Sequence, residues 1–485
     1  MDNIQIKPNS ELTEKWDLVK REIGHRRQLV LFLTDNSEEC IDLYALFLRD
    51  RMPVIMIEAQ ISEKKRHGLI EKFHPSWIVM PEKQDQLGMQ NITRDGVPYQ
   101  KITRYHHYTL RKNSKQDIWK LHTLASEIAV LLSTSGSTGE GKFVKLSYDN
   151  LFINAQSIIS SLGMQKGDRA ALMLPMAYSY GLSVVNSCLL SGGTLLSPRG
   201  NITHKKYWDD LEKGRVQSIC GVPYTYELLK KLRVFDRPLK DLKLITQAGG
   251  RLSVNIRSYL LAELERRRKQ GQNIDFAIMY GQTEATARMS SYFVNHHLDK
   301  ADSVGKAISG GRFLIEDRDP SGVGEIVYEG GNVYMGYATT WRDLLAKDAK
   351  DEAGTSFRLH TGDIGRLDAD GYLYIVGRKK RIIKRYGYRI PLDELQEEIS
   401  KKANCPLICV HGEQEALDRI YIVAEQEAYM QDAAVLQRLI EPVLGEYHIR
   451  SNDYCIVKIS GFARNSYGKP DYKAIYQMVE REVGI

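Results

Sequence analysis

Short apolar runs alternate with amphipathic stretches along the first part of the chain. Apolar runs occupy residues 29–33, 54–57 and 77–80, and a stretch with helical spacing follows the first of them. This alternation favours parallel strands whose connecting helices cover the faces of a sheet. The polar stretch 89–118 breaks the pattern, and we expect an irregular connection there.

The alternation resumes with the apolar run 128–132. Leu151, Ala155 and Ile158 then fall on one helical face, and Ser147 is placed to cap that helix. Four later runs, at 170–174, 218–222, 242–245 and 276–279, end in clusters of glycine, aromatic or polar residues. Ligands of open α/β sheets bind beyond the carboxyl ends of the strands, so these clusters predict a common pocket, although glycine is frequent in such loops anyway.

The pattern changes after residue 324. Short strands and turns over 324–374 predict a small β subdomain, and the charged run 377–381 predicts a linker. Beyond it, about a hundred residues have the periodicity of a compact α+β unit. The sequence therefore predicts an α/β protein: a large N-terminal domain, 1–379, of parallel-rich sheets flanked by helices with a small β subdomain, and a small α+β C-terminal domain, 380–485.

Composition narrows the function classes only a little. A length of 485 residues implies more than one domain, and the net charge of +7 permits an anionic substrate without predicting a nucleic-acid binder. The six cysteines match no zinc or redox signature, so we expect buried thiols in a reducing compartment. The polar N-terminus and the absence of a long apolar run predict a cytoplasmic protein without a signal peptide or membrane span.

The stretch 134–142 is a candidate phosphate loop. It follows an apolar run and combines glycines, hydroxyl side chains and one ammonium, which can present donors and positive charge to an anion. It is not a Walker loop, because Phe143 stands where a hydroxyl residue would follow the lysine. A plain connection would have a similar composition. The candidate residues are Thr134, Ser135, Gly136, Ser137, Thr138, Gly139 and Lys142.

Five motifs stand in one order along the chain. They are the loop from Thr134, Tyr280-Gly-Gln-Thr-Glu284, His360-Thr-Gly-Asp363, Gly377-Arg378 and Gly468-Lys469. Together they resemble the motifs of the adenylate-forming superfamily, which includes acyl-CoA synthetases, aryl-acid ligases, peptide-synthetase adenylation domains and luciferases. One departure is Gly141-Lys142-Phe143, where the family usually has Pro-Lys-Gly, and we expect Phe143 to crowd the exit of the loop.

The resemblance implies a two-step reaction. A carboxylic acid attacks the α-phosphate of ATP, pyrophosphate leaves, and a thiol then displaces AMP from the acyl-adenylate. By resemblance the loop from Thr134 holds the β- and γ-phosphates, Thr283 bonds the α-phosphate and Glu284 binds Mg²⁺, a cation that prefers carboxylate oxygens.

The resemblance also assigns the rest of the nucleotide site. Asp363 and Arg378 would bind the ribose, since a carboxylate accepts from two hydroxyls. The adenine slot and its neighbours would comprise Tyr280, Gly281, Gln282, Gly249 and Gly250. From the local sequence alone, Asp363 would be predicted to be a turn residue and Arg378 a solvent-exposed charge.

Lys469 is the residue to which the resemblance gives the central catalytic role. Its ammonium would bridge the reacting carboxylate and the α-phosphate, carried by a mobile C-terminal domain that turns about a hinge at Lys380. After that turn, Gly387 would line a tunnel for the thiol arm. Otherwise a lysine in a Gly-Lys-Pro turn is an ordinary surface residue.

Substrate choice is less determined by the sequence. The resemblance places Tyr178, Ser179 and Gly181 at the acid pocket, and Ser179 stands where amino-acid-activating relatives commonly have aspartate. A buried ammonium without a partner is costly, so we expect an aliphatic acyl or aryl acid without an α-amine. The thiol is that of CoA or of phosphopantetheine on a separate carrier protein. Alternatives are an amino-acid adenylating enzyme that loads a carrier, a catalytically silent nucleotide-binding homologue and a luciferase-like oxidase.

Overall fold

The structure is a computed structural model of the chain. It describes residues 16, 27–86, 93–94, 97–113, 118–133, 142–198, 200–346, 357–385, 388–412, 419–426, 433–465 and 468–483. Most of the predicted phosphate loop, from Thr134 to Gly139, and the predicted tunnel residue Gly387 lie outside these residues.

The first sheet has four parallel strands at its centre and antiparallel strands at both edges. Helices Glu38–Arg49 and Glu63–Phe73 connect the parallel strands, as the alternating pattern predicts. In spatial order the strands are Tyr337–Ala338, Phe143–Ser147, Ile128–Ser133, Val54–Glu58, Val30–Thr34, Trp77–Pro81, Tyr108–Asn113, Val97–Tyr105 and Thr93–Arg94.

The expectation of an irregular connection over 89–118 is wrong for most of its described part. Strands Val97–Tyr105 and Tyr108–Asn113 form an antiparallel hairpin that extends the first sheet. The hairpin is polar because it lies near the edge of the sheet, where Lys101 and Arg104 reach solvent. Strand Tyr108–Asn113 is largely buried, but its buried positions include the polar residues Thr109 and Asn113, so its sequence shows no apolar alternation.

Two local expectations around the candidate phosphate loop have opposite outcomes. Ser147 caps helix Tyr148–Leu162 in a reciprocal capping box with Asn150, with both bonds at 2.9 Å, which confirms the predicted cap. The expectation for Phe143 is wrong. Its ring is buried and packs edge-on against Phe73 at 5.3 Å between centroids, so it belongs to the core rather than to the loop exit.

The second sheet has five parallel strands followed by two antiparallel ones. The strands in spatial order are Thr194–Leu196, Arg169–Ala171, Ser218–Gly221, Leu244–Gln247, Asp275–Tyr280, Ser290–Phe293 and Lys306–Ala307. Helices Ser179–Ser191, Lys205–Lys213, Pro223–Lys231 and Val254–Lys269 accompany it. The carboxyl ends of the parallel strands meet at one edge, where the predicted glycine and aromatic clusters come together.

The remaining sheets form the β subdomain and the C-terminal unit. A four-stranded antiparallel sheet contains Gly311–Glu316, Gly324–Gly330, Arg358–Leu367 and Leu373–Arg378. The C-terminal unit contains the hairpin Ile382–Arg385 and Tyr388–Pro391, a sheet of Leu407–His411, Ile420–Glu425 and Tyr454–Ile459, and helices Leu392–Ala403, Ala433–Glu446 and Tyr472–Val483.

The buried apolar clusters of the described residues fall into two sets along the chain. Five clusters draw only on residues up to Ile375. Two others draw only on residues from Ile383 onward. The gap between these two sets brackets Lys380.

The charged run 377–381 is more firmly held than a solvated linker would be. Arg381 Nε lies 2.6 Å from Asp393 Oδ1, and its guanidinium is 3.7 Å from the centroid of the Tyr472 ring. Lys379 Nζ lies 2.7 Å from Glu325 Oε2, while Lys380 is exposed. The run is therefore anchored on both sides of Lys380.

The six cysteines are free thiols, and five of them are buried. Cys455 is only half-buried, which corrects the expectation for that residue. Within the residues that the structure describes, no helix combines the length and the apolar composition that a membrane crossing requires.

Candidate functional site

The loop that follows strand Asp275–Tyr280 supplies side chains to several parts of one crevice. Its path is tightly constrained, because a Cβ at Gly281 would overlap the carbonyl oxygen of Ala287. Thr286 and Ala287 have left-handed φ values of 59° and 107°. Such backbone conformations are unfavourable for these residues and persist only where surrounding contacts impose them. Asn332 imposes them here, with its side-chain amide donating to the carbonyls of Ala285 and Arg288 at 2.8 and 2.9 Å.

On one side of this loop the Asp363 carboxylate accepts two hydrogen bonds and forms one ion pair. Tyr280 Oη donates to Asp363 Oδ2 at 2.5 Å, and Gln282 Nε2 donates to the same oxygen at 2.8 Å. Arg378 Nε lies 3.3 Å from Asp363 Oδ1. The side chain of Arg378 is 62% exposed, whereas that of Asp363 is 6% exposed. The structure therefore brings the predicted ribose-binding pair together with Tyr280 and Gln282.

The hydroxyl of Tyr280 is fixed as a donor by this arrangement. Burial, and after it the neighbouring Asp363 carboxylate, raise the pKa of Tyr280 well above its usual value. Its ring packs toward Phe313 with 6.3 Å between centroids. The resemblance assigns Gly249 to the same adenine slot as Tyr280. In the structure, however, the side chains that a Cβ at Gly249 would approach are those of Tyr178, Val222 and Lys469.

Glu284 extends from the same loop toward the end of the candidate phosphate loop. Tyr337 Oη donates to Glu284 Oε1 at 2.9 Å, and Lys142 Nζ lies 3.2 Å from the centroid of the Tyr337 ring. Burial, followed by the Glu284 charge, raises the pKa of Tyr337. Tyr337 thus links the predicted phosphate ligand Lys142 to the predicted metal ligand Glu284.

The surroundings of Glu284 suit a magnesium ion that is shared with phosphates. The described residues contain no group of three or more histidine, cysteine or acidic side chains that could enclose a metal. Mg²⁺ is commonly bound by one or two carboxylates together with substrate phosphates. A single carboxylate, close to Lys142 of the candidate phosphate loop, fits that mode of binding.

Thr283 and the predicted acid-pocket residues meet at the start of helix Ser179–Ser191. Thr283 Oγ1 donates to Ser179 Oγ at 3.2 Å. Gly181 lies in the first turn, where a Cβ would overlap the carbonyl oxygen of Pro175. Tyr178 precedes the helix and is 7% exposed. The predicted α-phosphate ligand therefore adjoins the predicted acid pocket.

Gly249 and Gly250 follow strand Leu244–Gln247 and adjoin the acid side of the crevice. Gly249 has φ +86°, and a Cβ there would come 2.8 Å from Tyr178 Oη and 3.4 Å from Lys469 Cε. A Cβ at Gly250 would come 3.3 Å from Pro223 Cγ. Glycine at 249 is required both by its backbone conformation and by the close approach of these two side chains.

The turn before Pro470 directs Lys469 into the crevice from the C-terminal unit. Asn465 Oδ1 accepts from the Lys469 backbone at 3.0 Å, and the Asn465 N–H donates to the Lys469 carbonyl at 2.9 Å. Lys469 Nζ lies 5.6 Å from the centroid of the Tyr178 ring. Burial, and after it the Arg378 charge, lower the pKa of Lys469 to about 8, while Asp363 acts in the opposite direction.

Further contacts seat the C-terminal unit on the larger one. The guanidinium of Arg464 lies 4.5 Å from the centroid of the Tyr224 ring, and Arg464 Nη2 lies 3.6 Å from Glu227 Oε2. Arg251 Nη1 lies 2.6 Å from Glu397 Oε2. These contacts are partly exposed, so each is individually weak and compatible with a unit that can move.

Sequence reasoning missed two residues of this site. Tyr337 lies 53 positions from Glu284, and nothing in the local sequence indicates their pairing. Arg288 lies just beyond the Tyr280–Glu284 motif and is 2% exposed. No local pattern in the sequence indicates that Arg288 is buried.

Comparison with protein families identifies the chain. A family model described as AMP-binding enzyme matches residues 18–338, about two thirds of the sequence. The chain belongs to the AMP-binding enzymes. This match confirms the resemblance to adenylate-forming enzymes that the motifs indicate.

Curated relatives of this AMP-binding enzyme are CoA ligases by name. The chain is 24% identical to the 2-succinylbenzoate–CoA ligase of Bacillus licheniformis over 79% of this chain and 75% of that protein. It is 28% identical to the indoleacetate–CoA ligase of Aromatoleum aromaticum over 72% of this chain and 67% of that protein. These findings confirm the predicted reaction class, an AMP-forming ligation of a carboxylic acid to a thiol.

Solved structures confirm the predicted fold. MatB from Rhodopseudomonas palustris, solved with ATP bound, superposes with a TM-score of 0.75 at 19% identity, covering 98% of this chain and 93% of that one. The O-succinylbenzoate coenzyme A synthetase MenE from Bacillus subtilis, in complex with ATP and magnesium ion, gives 0.70 at 18% identity, covering 95% and 92%.

Proposed function

We propose that this AMP-binding enzyme converts a carboxylic acid without an α-amine to an acyl-adenylate and transfers the acyl group to CoA. The observation that carries the proposal is the position of Lys469. Its ammonium enters the crevice beside Tyr178 and Gly249, on the side where Thr283 meets Ser179. A cation at that position can bring together two anions, the substrate carboxylate and the α-phosphate of ATP.

The nucleotide is held by residues on the other side of the crevice. Asp363 and Arg378 bind the ribose, and Gln282 orients Asp363 through its 2.8 Å bond. Lys142 binds the β- and γ-phosphates together with the loop from Thr134. Glu284 holds Mg²⁺, which neutralises phosphate charge when bound. ATP, Mg²⁺ and CoA are the cofactors expected for ligases of this family.

Adenylation then depends on positioning and charge neutralisation rather than on a protein base. The acid is ionised at neutral pH and can act as the nucleophile. Thr283 and Lys469 place its carboxylate and the α-phosphate in contact, which removes most of the entropic barrier of a bimolecular step. The ammonium of Lys469 stabilises the charge that develops on the phosphate oxygens, and a Mg²⁺ ion held by Glu284 would supply further positive charge.

The surroundings of Tyr178 support an acid without an α-amine. Ser179 is neutral and is engaged with Thr283, and two cations, Lys469 and Arg288, act on the ring of Tyr178 or on its neighbourhood. A substrate ammonium would be repelled there rather than paired. An amino-acid adenylating enzyme is therefore the weaker candidate, and so is a silent homologue, because Thr283, Glu284, Asp363, Arg378 and Lys469 are all retained.

CoA is the proposed thiol because the relatives are named as CoA ligases. Phosphopantetheine on a separate carrier protein is the alternative acceptor. All six cysteines are free thiols, which is consistent with the predicted cytoplasmic location, because thiols stay reduced in that compartment. We further propose that residues 1–379 and 380–485 move as two domains about Lys380, since the buried clusters separate there.

Acid-dependent exchange of pyrophosphate into ATP tests the proposal. The purified protein is screened with aliphatic, aryl and amino acids, and any productive acid is then offered with CoA or with a phosphopantetheinylated carrier protein. We expect exchange with one class of amine-free acid and a CoA thioester as product. Exchange with amino acids alone, or nucleotide binding without exchange across the whole panel, would contradict the proposal.

A further inference from the structure

Arg288 is a buried cation that has no role in the adenylation step proposed above. It is 2% exposed, and burial lowers the pKa of its guanidinium. Among the described residues no carboxylate lies within ion-pair distance of it. The titratable neighbours that act on it are Tyr180, Cys220 and Tyr178, and none of them is a carboxylate. A buried charge without an opposite charge is strongly unfavourable, so its retention calls for an anion.

The described polar contacts of Arg288 leave a buried donor without a partner. Nη2 donates to Ser183 Oγ at 3.1 Å, and the guanidinium lies 4.4 Å from the centroid of the Tyr180 ring. Nε is buried without a hydrogen-bond partner. Guanidinium has five N–H donors in a planar fork whose geometry matches a carboxylate. A carboxylate ligand could accept hydrogen bonds from the guanidinium N–H groups that the Ser183 hydroxyl and the Tyr180 ring do not engage.

The backbone that carries Arg288 is held in place by dedicated contacts. The Arg288 carbonyl accepts from Asn154 Nδ2 and from Asn332 Nδ2, each at 2.9 Å. Immediately before it, Thr286 and Ala287 adopt left-handed backbone conformations. These unfavourable conformations turn the chain so that Arg288 faces helix Ser179–Ser191. Strain of this kind is characteristic of ligand-binding segments.

Arg288 lies on the acid side of the crevice, one helical turn beyond the reacting groups. Thr283, the proposed α-phosphate ligand, contacts Ser179 at the first residue of the helix, whereas Arg288 contacts Ser183. Four residues of helix correspond to a rise of roughly 6 Å. An acid whose reacting carboxylate lies beside Thr283 and Lys469 would therefore direct its far end toward Arg288.

We propose that the substrate is a dicarboxylic acid and that Arg288 binds the carboxylate that does not react. This proposal deepens the proposed function and rests on it. The unreactive carboxylate would form a bidentate ion pair with the Arg288 guanidinium, in a site from which water is largely excluded. A monocarboxylic acid of the same length would leave the buried guanidinium without its anion and would be rejected.

Matched acid pairs test the proposal in the exchange assay. The pairs are succinate with butanoate, glutarate with pentanoate, and phthalate with benzoate. We expect wild-type kcat/KM to favour a dicarboxylate over its partner on the order of a hundredfold or more. Arg288→Met should abolish that preference and lower only the dicarboxylate values, whereas Arg288→Lys should retain part of it.

Arg267→Met serves as the matched control. Arg267 is another buried arginine, 4% exposed, but it donates to the carbonyls of Phe235 and Arg237, away from the crevice. Its loss should lower the melting temperature without changing the preference between paired acids. A wild-type enzyme that favours monocarboxylates, or an Arg288→Met variant that lowers both members of each pair equally, would overturn the dicarboxylate proposal and leave the proposed function intact.

A binding measurement separates this proposal from the reaction itself. Two unreactive acyl-sulfamoyl adenosines are compared by calorimetry, one with a terminal carboxylate and one with a methyl group in its place. Tighter binding of the carboxylate form by wild type, lost in Arg288→Met, supports the proposal even if no acid in the panel supports exchange. Equal binding of the two compounds by wild type overturns it.

Discussion

At the scale of single residues, the ammonium of Lys469 stands in surroundings that oppose its charge. Its pKa is lowered to about 8, first by burial and then by the charge of Arg378, with Asp363 acting the other way. In the absence of substrates the charged form is therefore progressively lost above pH 8. Bound phosphate and carboxylate anions would favour the ammonium and raise this pKa again.

A pH profile of the exchange reaction follows from this shift. Because the protonated form is the active one, kcat/KM should be constant below the lowered pKa and fall about tenfold per pH unit above it. The profile of kcat should break at a higher pH, since it reports the enzyme with substrates bound. Lys469→Arg, which stays charged, should lose the alkaline break although its rates are lower. If kcat/KM of Lys469→Arg falls above the same pH as in wild type, the titrating group is not Lys469.

Without the family motifs, the contacts of single residues were predictable only where a short local rule applies. Ser147 was predictable as a cap because the capping box spans four consecutive residues. The pairing of Tyr337 with Glu284 and the burial of Arg288 depend on contacts between distant segments. A single sequence gives no register between such segments, so neither feature could be derived from it.

At the scale of elements, the loop from Gly281 to Arg288 connects the nucleotide side of the crevice to the acid side. Gln282 contacts Asp363, Glu284 contacts Tyr337, and Thr283 contacts Ser179. The loop can follow this path because Gly281 lies directly against the backbone of Ala287. Displacement of this one turn would misplace groups in both halves of the site.

Gly281→Ala is predicted to disable the enzyme without unfolding it. The added Cβ overlaps backbone, which cannot yield as a flexible side chain would, so the loop must shift. We expect exchange to fall on the order of a hundredfold, since small misplacements of reacting groups have effects of that size. Gly68→Ala, in helix Glu63–Phe73 with no atom within 4 Å of the new Cβ, is the control and should keep full exchange. Full exchange by Gly281→Ala would contradict the role given to this loop.

Element prediction from sequence succeeded for strands with strong apolar runs and failed for the polar hairpin. Strands Val30–Thr34, Val54–Glu58 and Trp77–Pro81 lie within one residue of the apolar runs 29–33, 54–57 and 77–80. The hairpin of Val97–Tyr105 and Tyr108–Asn113 was missed because the first strand has many exposed polar residues and the buried positions of the second include Thr109 and Asn113. Edge strands need not alternate cleanly, so hydrophobic pattern is a poor guide to them.

At the scale of the whole molecule, the C-terminal unit is seated so that Lys469 reaches the crevice. Its polar contacts with the larger unit include the ion pair of Arg251 with Glu397 and the stacking of Arg464 on Tyr224. These exposed or half-exposed contacts are weak enough to break and re-form during turnover. The change in periodicity after the charged run 377–381 predicts two units, but their arrangement could not be predicted from the sequence.

Joining the two units covalently should separate the half-reactions. Arg251→Cys and Glu397→Cys, linked by a short bis-maleimide in a Cys455→Ser background, would hold the present arrangement. We expect the linked enzyme to retain pyrophosphate exchange and to lose formation of the CoA thioester. The same protein before linking, and each single-cysteine variant after treatment, should perform both steps. Normal thioester formation by the linked enzyme would contradict the proposed movement about Lys380.

The central claim is that Lys469 joins the acid to ATP in the first step and is not needed in the second. The direct measurement is Lys469→Ala assayed separately for acid-dependent pyrophosphate exchange and for thioester formation from supplied acyl-adenylate and CoA. We predict that exchange falls by several orders of magnitude while thioester formation is largely preserved. Full exchange by this variant, or equal loss of both steps, would contradict the claim.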